Sequence, residues 1–114
     1  MTLRVGIIGA GQAGERHAVG FAVCEGAQLV SIADIDKSRA EALATRFNAK
    51  AFTDWRTLLD ETLDILVVSL PHNMHVAPTE AAAAQGVHVL MEKPIATTLE
   101  DAKRIVQVCR DANV

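Results

Sequence analysis

A regular alternation of short apolar runs and Ala-rich segments is the feature that most constrains the fold of this 114-residue chain. The apolar runs have the length and β-branched character of strands, and the segments between them have the spacing of helices. Because parallel strands need a crossover connection, this alternation predicts right-handed βαβ units on a single parallel sheet with helices on both faces. The predicted strands are residues 3–9, 27–33, 49–52, 63–70 and 87–91.

Capping residues mark ends of four of the five helices that follow these strands. Asp36 and Thr53 occupy N-cap positions, and Thr97 and Glu100 have capping-box spacing. Gly86 is placed to stop the fourth helix. The predicted helices are residues 11–24, 36–47, 53–59, 75–85 and 98–112.

Composition limits both the core and the partners of the chain. Half of the residues are hydrophobic and only 4% are aromatic, so the core must be aliphatic, which suits buried parallel strands. The net charge of −3 and the lack of a basic block argue against nucleic acid or an anionic membrane as partner. The apolar run near the N-terminus is too short and too Gly-rich for a signal peptide or a transmembrane helix, so we expect a cytoplasmic protein.

Two cysteines stand in separate predicted helices. Cys24 and Cys109 lack metal-ligand spacing, and we interpret both as reduced thiols, with no metal site in the chain. The βαβ crossovers place the first and last helices on opposite faces of the sheet. We therefore predict that these two thiols cannot form a disulfide.

A glycine motif follows the first strand directly and opens the first helix. Gly9 permits a tight turn, Gly11 lets a pyrophosphate approach the backbone, and Gly14 lets the helix pack closely on the strand. An ordinary Gly-rich turn is the alternative interpretation. Asp34 favours a cofactor, because it lies about twenty residues further on, where a carboxylate accepts hydrogen bonds from an adenosine ribose. The pattern predicts a dinucleotide-binding Rossmann domain over residues 1–114.

Asp34 also indicates which dinucleotide binds. A carboxylate at this position repels a 2′-phosphate, and the next residue, Ile35, offers no positive charge to receive one. Lys37 and Arg39 lie nearby and keep NADP open as the second choice. We predict NAD over NADP.

The sheet order expected for this fold, 3-2-1-4-5, places a ligand crevice beyond the carboxyl ends of the strands. The loops after the fourth and fifth strands then lie near the nicotinamide. Lys93, in the second of these loops, could donate to a substrate hydroxyl or stabilise an alkoxide. Two roles are open for Glu92, which could fix the Lys93 ammonium or bond the nicotinamide ribose. A surface Glu-Lys ion pair is the alternative without function, and a cis peptide bond is predicted before Pro94.

Four stretches, GAGQAG, ADID, LPHNMH and MEKP, in this order and at these separations, resemble the N-terminal half of the Gfo/Idh/MocA oxidoreductase family. The resemblance covers essentially the whole chain, and Glu-Lys-Pro after the fifth strand is its most specific mark. It implies an NAD-dependent dehydrogenase acting on a hydroxyl of a sugar, polyol or related small molecule, with Lys93 as the catalytic lysine. The cofactor-binding residues that it implies are Gly9, Gly11, Gln12, Ala13, Gly14, Asp34, Ser69, Leu70, Pro71, His72, His75, Glu92 and Lys93.

The chain departs from the family pattern in the loop after the fourth strand. Leu70 stands where Thr is common and His72 where Asn is common, which leaves the hydrogen bonds of this loop open. The two histidines outside these motifs, His17 and His88, are interpreted as structural. Family members continue into a sixth strand and a second α/β domain. We therefore expect a fragment of a longer, homo-oligomeric oxidoreductase that is inactive on its own.

Two other classes of protein use the same glycine turn. One is a non-catalytic NAD-sensing regulatory domain, and the other is the FAD domain of a flavoprotein. Lys93 favours the enzyme, because a sensor needs no amine beside the nicotinamide ring. The unbroken βα alternation through the second strand disfavours the flavoprotein.

Overall fold

The computed structural model describes residues 1–114 and consists of one five-stranded sheet with helices on both faces. The strand order is β3-β2-β1-β4-β5, and every neighbouring pair is parallel. Both features confirm the fold predicted from the sequence. The strands are β1 (Leu3–Ile8), β2 (Ala27–Ala33), β3 (Lys50–Phe52), β4 (Ile65–Val68) and β5 (His88–Met91). The helices are α1 (Gln12–Ala22), α2 (Lys37–Arg46), α3 (Trp55–Leu58), α4 (Val76–Ala84) and α5 (Leu99–Asp111).

Each face of the sheet has its own apolar cluster, because successive side chains of a strand point to opposite faces. On one face Ile7 of β1 belongs to a cluster with Ala18 of α1 and Leu43 of α2. On the other face Ile8 belongs to a cluster with Ala82 of α4. Both β1 side chains are buried. The centre of the sheet is therefore closed on both faces, and polar groups that bind a ligand can be reached only at the strand ends.

Helix caps agree with the sequence to within one residue. Asp36 caps α2 as predicted, and the hydrogen bond from the Ser38 hydroxyl is the main cause of the lowered pKa of its carboxyl. The caps of α3 and α5 are Asp54 and Thr98, each one residue after the predicted cap. Neighbouring polar residues can each supply the acceptor oxygen, so the sequence alone does not separate them.

The fourth strand is shorter than predicted. Leu63 is buried in the same cluster as Leu66, yet the regular strand begins only at Ile65. Burial therefore extends beyond the strand, and an apolar run reports the burial rather than the pairing. After α4, Gly86 has a φ of 73°, which agrees with its predicted role as the stop of that helix.

The strand β5 and the helix α5 form the least covered edge of the molecule. Leu90 is 42% exposed, Leu99 is 71% exposed and Val106 is 40% exposed. β5 pairs only with β4, so its other edge is open. Apolar side chains and an unpaired strand edge together form a surface on which further polypeptide could pack.

The helices offer no candidate for a membrane span, because none combines the necessary length with the necessary apolar character. The His, Cys, Asp and Glu side chains form no group of three or more that could hold a metal ion.

The two cysteines are free thiols on elements that pack against different faces of the sheet. Cys24 follows α1 and is exposed, whereas Cys109 lies on α5 and is half-buried. Helix α1 contributes to one apolar cluster, and α5 packs against α4, which contributes to the other. Burial raises the pKa of the Cys109 thiol.

We expect a thiol reagent to label both cysteines in the unreduced chain, with Cys24 reacting faster. Cys109 is less accessible, and its raised pKa leaves less thiolate at neutral pH, so its rate should increase as the pH rises. The variants Cys24→Ser and Cys109→Ser assign the two rates. A disulfide found by mass spectrometry in the folded chain would contradict the topology.

Candidate functional site

The glycine turn joins β1 to α1 at the carboxyl edge of the sheet, where three backbone segments approach closely. Gly9 has a φ of 95°, and a Cβ at this position would lie 2.4 Å from the carbonyl oxygen of Ser69. A Cβ at Gly14 would lie 1.8 Å from the carbonyl oxygen of Gly9. Both positions need glycine for steric reasons. The closest approach of Gly14 is to the turn itself, rather than to the strand as the motif predicts.

Gly11 differs from Gly9 and Gly14, because the folded chain leaves room for a side chain there. No heavy atom lies within 4 Å of the position that its Cβ would occupy. It is also the N-cap of α1, and no side chain caps this helix. The first N–H groups of the helix, at Gln12 and Ala13, are thus left without a side-chain acceptor. Open space above free N–H donors is what an anionic pyrophosphate requires, so the turn fits a dinucleotide.

Asp34 lies at the end of β2, and its carboxylate is held against the glycine turn. Its Oδ2 accepts a hydrogen bond from Ala10 N at 2.7 Å, and its Oδ1 accepts one from Asp36 N at 2.8 Å. Because a carboxylate has about four acceptor positions, both oxygens can still accept bonds from ligand hydroxyls. The carboxylate is therefore oriented before any ligand binds.

A cavity of about 400 Å³ extends from Asp34 toward the end of β3. Ile35 and Trp55 line it, and the guanidinium of Arg56 lies over the Trp55 ring at 4.4 Å from the ring centroid. Arg56 also pairs with Asp54 at 3.5 Å. Sequence reasoning missed this wall of the site. The one available signal was the position of the only Trp of the chain, in the first turn of the short helix predicted after the third strand.

The loop after β4 starts within the sheet and then folds into a 3-10 turn that the sequence did not predict. Ser69 N donates to Ile8 O at 2.8 Å, which keeps the start of the loop beside the glycine turn. The Ser69 hydroxyl is buried and makes no hydrogen bond. Leu70 is half-buried, and Pro71 and His72 are exposed, the latter at the start of the turn His72–Met74.

His75 connects the loop after β4 to the loop after β5. The residue is only 1% exposed. Its Nδ1 lies 2.9 Å from the carbonyl oxygen of Ile95, and its Nε2 lies 2.9 Å from that of Leu70. With both ring nitrogens directed at backbone, the ring positions the loops rather than facing a ligand.

The Glu-Lys-Pro turn also starts within the sheet. Glu92 N donates to Val68 O at 3.0 Å, and Glu92 Oε1 lies 2.5 Å from Nε2 of His17 on α1. Lys93 is exposed and takes part in none of the ion pairs of the structure, so the surface Glu92–Lys93 pair considered above does not form. The Lys93–Pro94 bond is cis, as predicted.

These elements place the predicted residues at one edge of the sheet. The glycine turn, Asp34, the loop after β4 and the Glu-Lys-Pro turn follow the carboxyl ends of β1, β2, β4 and β5. β1 pairs with both β2 and β4. The strands β2 and β3 therefore lie on one side of β1 and the strands β4 and β5 on the other, and the strand order switches sides next to the glycine turn. Ligands of open parallel sheets bind at such a point.

Residues 3–114 match the family model that is described as "Oxidoreductase family, NAD-binding Rossmann fold". The chain belongs to the Gfo/Idh/MocA family. The part of the family that it represents is the NAD-binding Rossmann domain, in agreement with the motifs and with the strand order.

The relatives of the chain include two dehydrogenases and a ketoreductase. Inositol 2-dehydrogenase from Acidothermus cellulolyticus is 41% identical over 109 residues, which cover 93% of this chain and 32% of that protein. The crystal structure of the WlbA dehydrogenase from Bordetella pertussis, in complex with NADH and UDP-GlcNAcA, has a TM-score of 0.94 at 32% identity. The aligned region covers 100% of this chain and 36% of the WlbA chain. KijD10, a 3-ketoreductase from Actinomadura kijaniata in complex with NADP and TDP-benzene, has a TM-score of 0.93 at 28% identity, with coverages of 100% and 36%. The chain thus spans about a third of the length of the relatives it matches.

Alanine at Gly14 should lower the stability of the chain, whereas alanine at Gly11 should lower its affinity for NADH. Gly14→Ala forces a methyl group against the Gly9 carbonyl oxygen and should lower the free energy of unfolding by about 3 kcal/mol, the upper end of the usual cost of overpacking. Gly11→Ala has room in the folded chain and should keep near-normal stability while losing NADH affinity. Urea denaturation and calorimetric titration measure the two effects. Equal stabilities of the two variants would contradict the steric argument.

Proposed function

We propose that this chain is the cofactor-binding domain of a longer dehydrogenase, which transfers a hydride between NAD and a hydroxyl-bearing carbon of a sugar, polyol or related compound. The observation that carries the proposal is the convergence of the glycine turn, Asp34 and Lys93 on one edge of the sheet. The family and the named relatives support the same reaction class.

Each part of the cofactor has a partner among the described residues. The N–H groups after Gly11 would hold the pyrophosphate, because the start of α1 is open and uncapped. Asp34 would accept hydrogen bonds from the adenosine ribose, and the cavity beside Ile35 and Trp55 would receive the adenine. The bound cofactor supplies the hydride chemistry, since its nicotinamide ring accepts or gives up the hydride.

The loops after β4 and β5 would enclose the nicotinamide half. The two loops are tied together through His75, which lies between Leu70 O and Ile95 O. Glu92, in the second loop, would accept a hydrogen bond from the nicotinamide ribose. This role is favoured over pairing with Lys93, because its carboxylate lies against His17 instead.

Lys93 would act on the substrate oxygen. Its exposed ammonium has no carboxylate partner, so its N–H groups are available to a ligand. In the direction of reduction, Nζ would donate a proton to the substrate carbonyl oxygen and so neutralise the negative charge that develops there as the hydride arrives at the carbon. Oxidation is the reverse, with the hydroxyl proton passing to Nζ as the hydride leaves for the cofactor.

Charges around Asp34 favour NAD over NADP. The Asp34 carboxylate would repel a 2′-phosphate, and Ile35, beside it, is 91% exposed and uncharged. Three cations lie nearby, and each is engaged in an ion pair, Lys37 with Glu41 and Arg39 with Asp36 at 3.7 Å and Arg56 with Asp54 at 3.5 Å. KijD10 was crystallised with NADP, so NADP stays the second choice for this chain.

Further polypeptide would complete the enzyme. The relatives are about three times as long as this chain, and the exposed apolar residues of β5 and α5 offer a surface for the rest of the protein. That part would bring the residues that select the substrate and the contacts of a homo-oligomer. A regulatory NAD sensor is less well supported, because the named relatives are enzymes.

The 114-residue chain should bind NADH more tightly than NADPH and should oxidise no sugar or polyol on its own. Trp55 is the only Trp and lies in the cavity beside Asp34, so quenching of its fluorescence should report binding. Asp34→Asn should weaken NADH binding about tenfold, the effect of a lost charge-assisted hydrogen bond, and should reduce the discrimination against NADPH. Asp60→Asn, in the turn after α3, controls for the change of charge. Equal affinity of the wild type for NADH and NADPH would refute the assignment of Asp34.

In the full-length protein, Lys93→Ala should lower kcat by about 10²- to 10⁴-fold, because the proton donor to the substrate is lost. Binding of NADH should change little, since the lysine acts on the substrate. Lys50→Ala, at the start of β3 and so at the opposite edge of the sheet, is the matched control. If the affinity for NADH falls while kcat is preserved, Lys93 is a cofactor anchor.

A further inference from the structure

The contact between His17 and Glu92 joins two parts of the site that are 75 residues apart in the sequence. His17 lies on α1, the helix that follows the glycine turn, and Glu92 begins the loop after β5. Their side chains are 26% and 30% exposed, so the pair is partly shielded from solvent. Neither the glycine motif nor the Glu-Lys-Pro motif accounts for it.

The fold directs both side chains into the same space. On α1, His17 follows the buried Gly14 by one turn, so it lies on the side of the helix that faces the sheet. On β5, Leu90 points toward α1 and lines a cavity with His17 and Phe21. Glu92 is two residues further along and its N–H still bonds to Val68 O of β4, so strand alternation sends its side chain to the same face.

His17 holds a carboxylate whose main chain is also fixed. The N–H of Glu92 donates to Val68 O, and its Oε1 meets His17, while Oε2 has no partner in the protein. One carboxylate oxygen is therefore available to a ligand. Without His17 the carboxylate could rotate, and the adjacent Lys93 ammonium, which has no ion-pair partner, would be an alternative partner for it.

We propose that His17 is a positioning residue, which orients Glu92 toward the nicotinamide ribose and keeps its carboxylate away from Lys93. The inference rests on the proposed function, because it assumes that the nicotinamide half of the cofactor lies at this loop. The alternative is an ordinary surface pair, which would contribute only to stability.

Comparison of NADH with ADP separates these possibilities in the 114-residue chain. ADP carries the adenosine and pyrophosphate groups but no nicotinamide riboside, so it should not depend on Glu92. His17→Phe keeps a ring and removes the N–H donor. It should weaken NADH binding about tenfold, the size of one charge-assisted hydrogen bond, and leave ADP binding unchanged in calorimetric titration.

Further variants test whether the hydrogen bond itself is responsible. His17→Gln keeps an N–H donor at similar reach and should restore most of the NADH affinity. Glu92→Gln combined with His17→Phe should cost no more than the larger single effect, because the two residues act as a unit. His88→Phe, at an exposed position of β5, is the matched histidine control and should change neither affinity.

The binding measurements test the positioning role of His17 and the proposed function separately. Equal loss of NADH and ADP binding in His17→Phe, or no loss of either, would overturn the positioning role. A wild-type chain that binds neither ligand would refute the proposed function and the inference with it. Circular dichroism verifies the fold of each variant, and His17→Ala replaces His17→Phe if the larger ring unfolds the chain.

Discussion

The close approach of backbone segments at the end of β1 is the constraint on which the rest of the site depends. β1 is the central strand, and the chain must leave it between β2 and β4 and start α1 at once. A side chain at Gly9 would collide with Ser69, and one at Gly14 would collide with Gly9. This tight turn leaves the start of α1 uncovered, and uncovered N–H groups of a helix start are the groups that would hold an anion.

Side chains around the turn extend this arrangement across the edge of the sheet. Asp34 bonds to Ala10 N and ties the end of β2 to the turn. On the other side, His17 reaches Glu92 after β5, and His75 links the loops after β4 and β5. The proposed adenosine side and the proposed nicotinamide side of the site are thus both connected to the segment that surrounds the glycine turn. A cofactor bound there would meet groups whose orientations are already set, which reduces the cost of ordering them on binding.

Much of this could be predicted from residue patterns, because the deciding signals are local. The turn at Gly9 and the cap at Asp36 each follow from a few neighbouring residues, and the strand order follows from the fold that the glycine motif and the βα alternation indicate. The predictions that failed have a common cause. The length of β4, the caps of α3 and α5 and the 3-10 turn after Pro71 depend on which of several adjacent residues makes a contact.

By itself the sequence determined the parallel α/β fold, the position of the dinucleotide turn and the family, since these depend on periodicity, on glycine sterics and on short motifs. Only the tertiary structure decided that His17 contacts Glu92, that the His75 ring faces backbone and that Trp55 lines the cavity beside Asp34. The physical reason is that these contacts join residues on different strands and helices. Their distances are set by the packing of whole elements, and no local pattern in the chain encodes them.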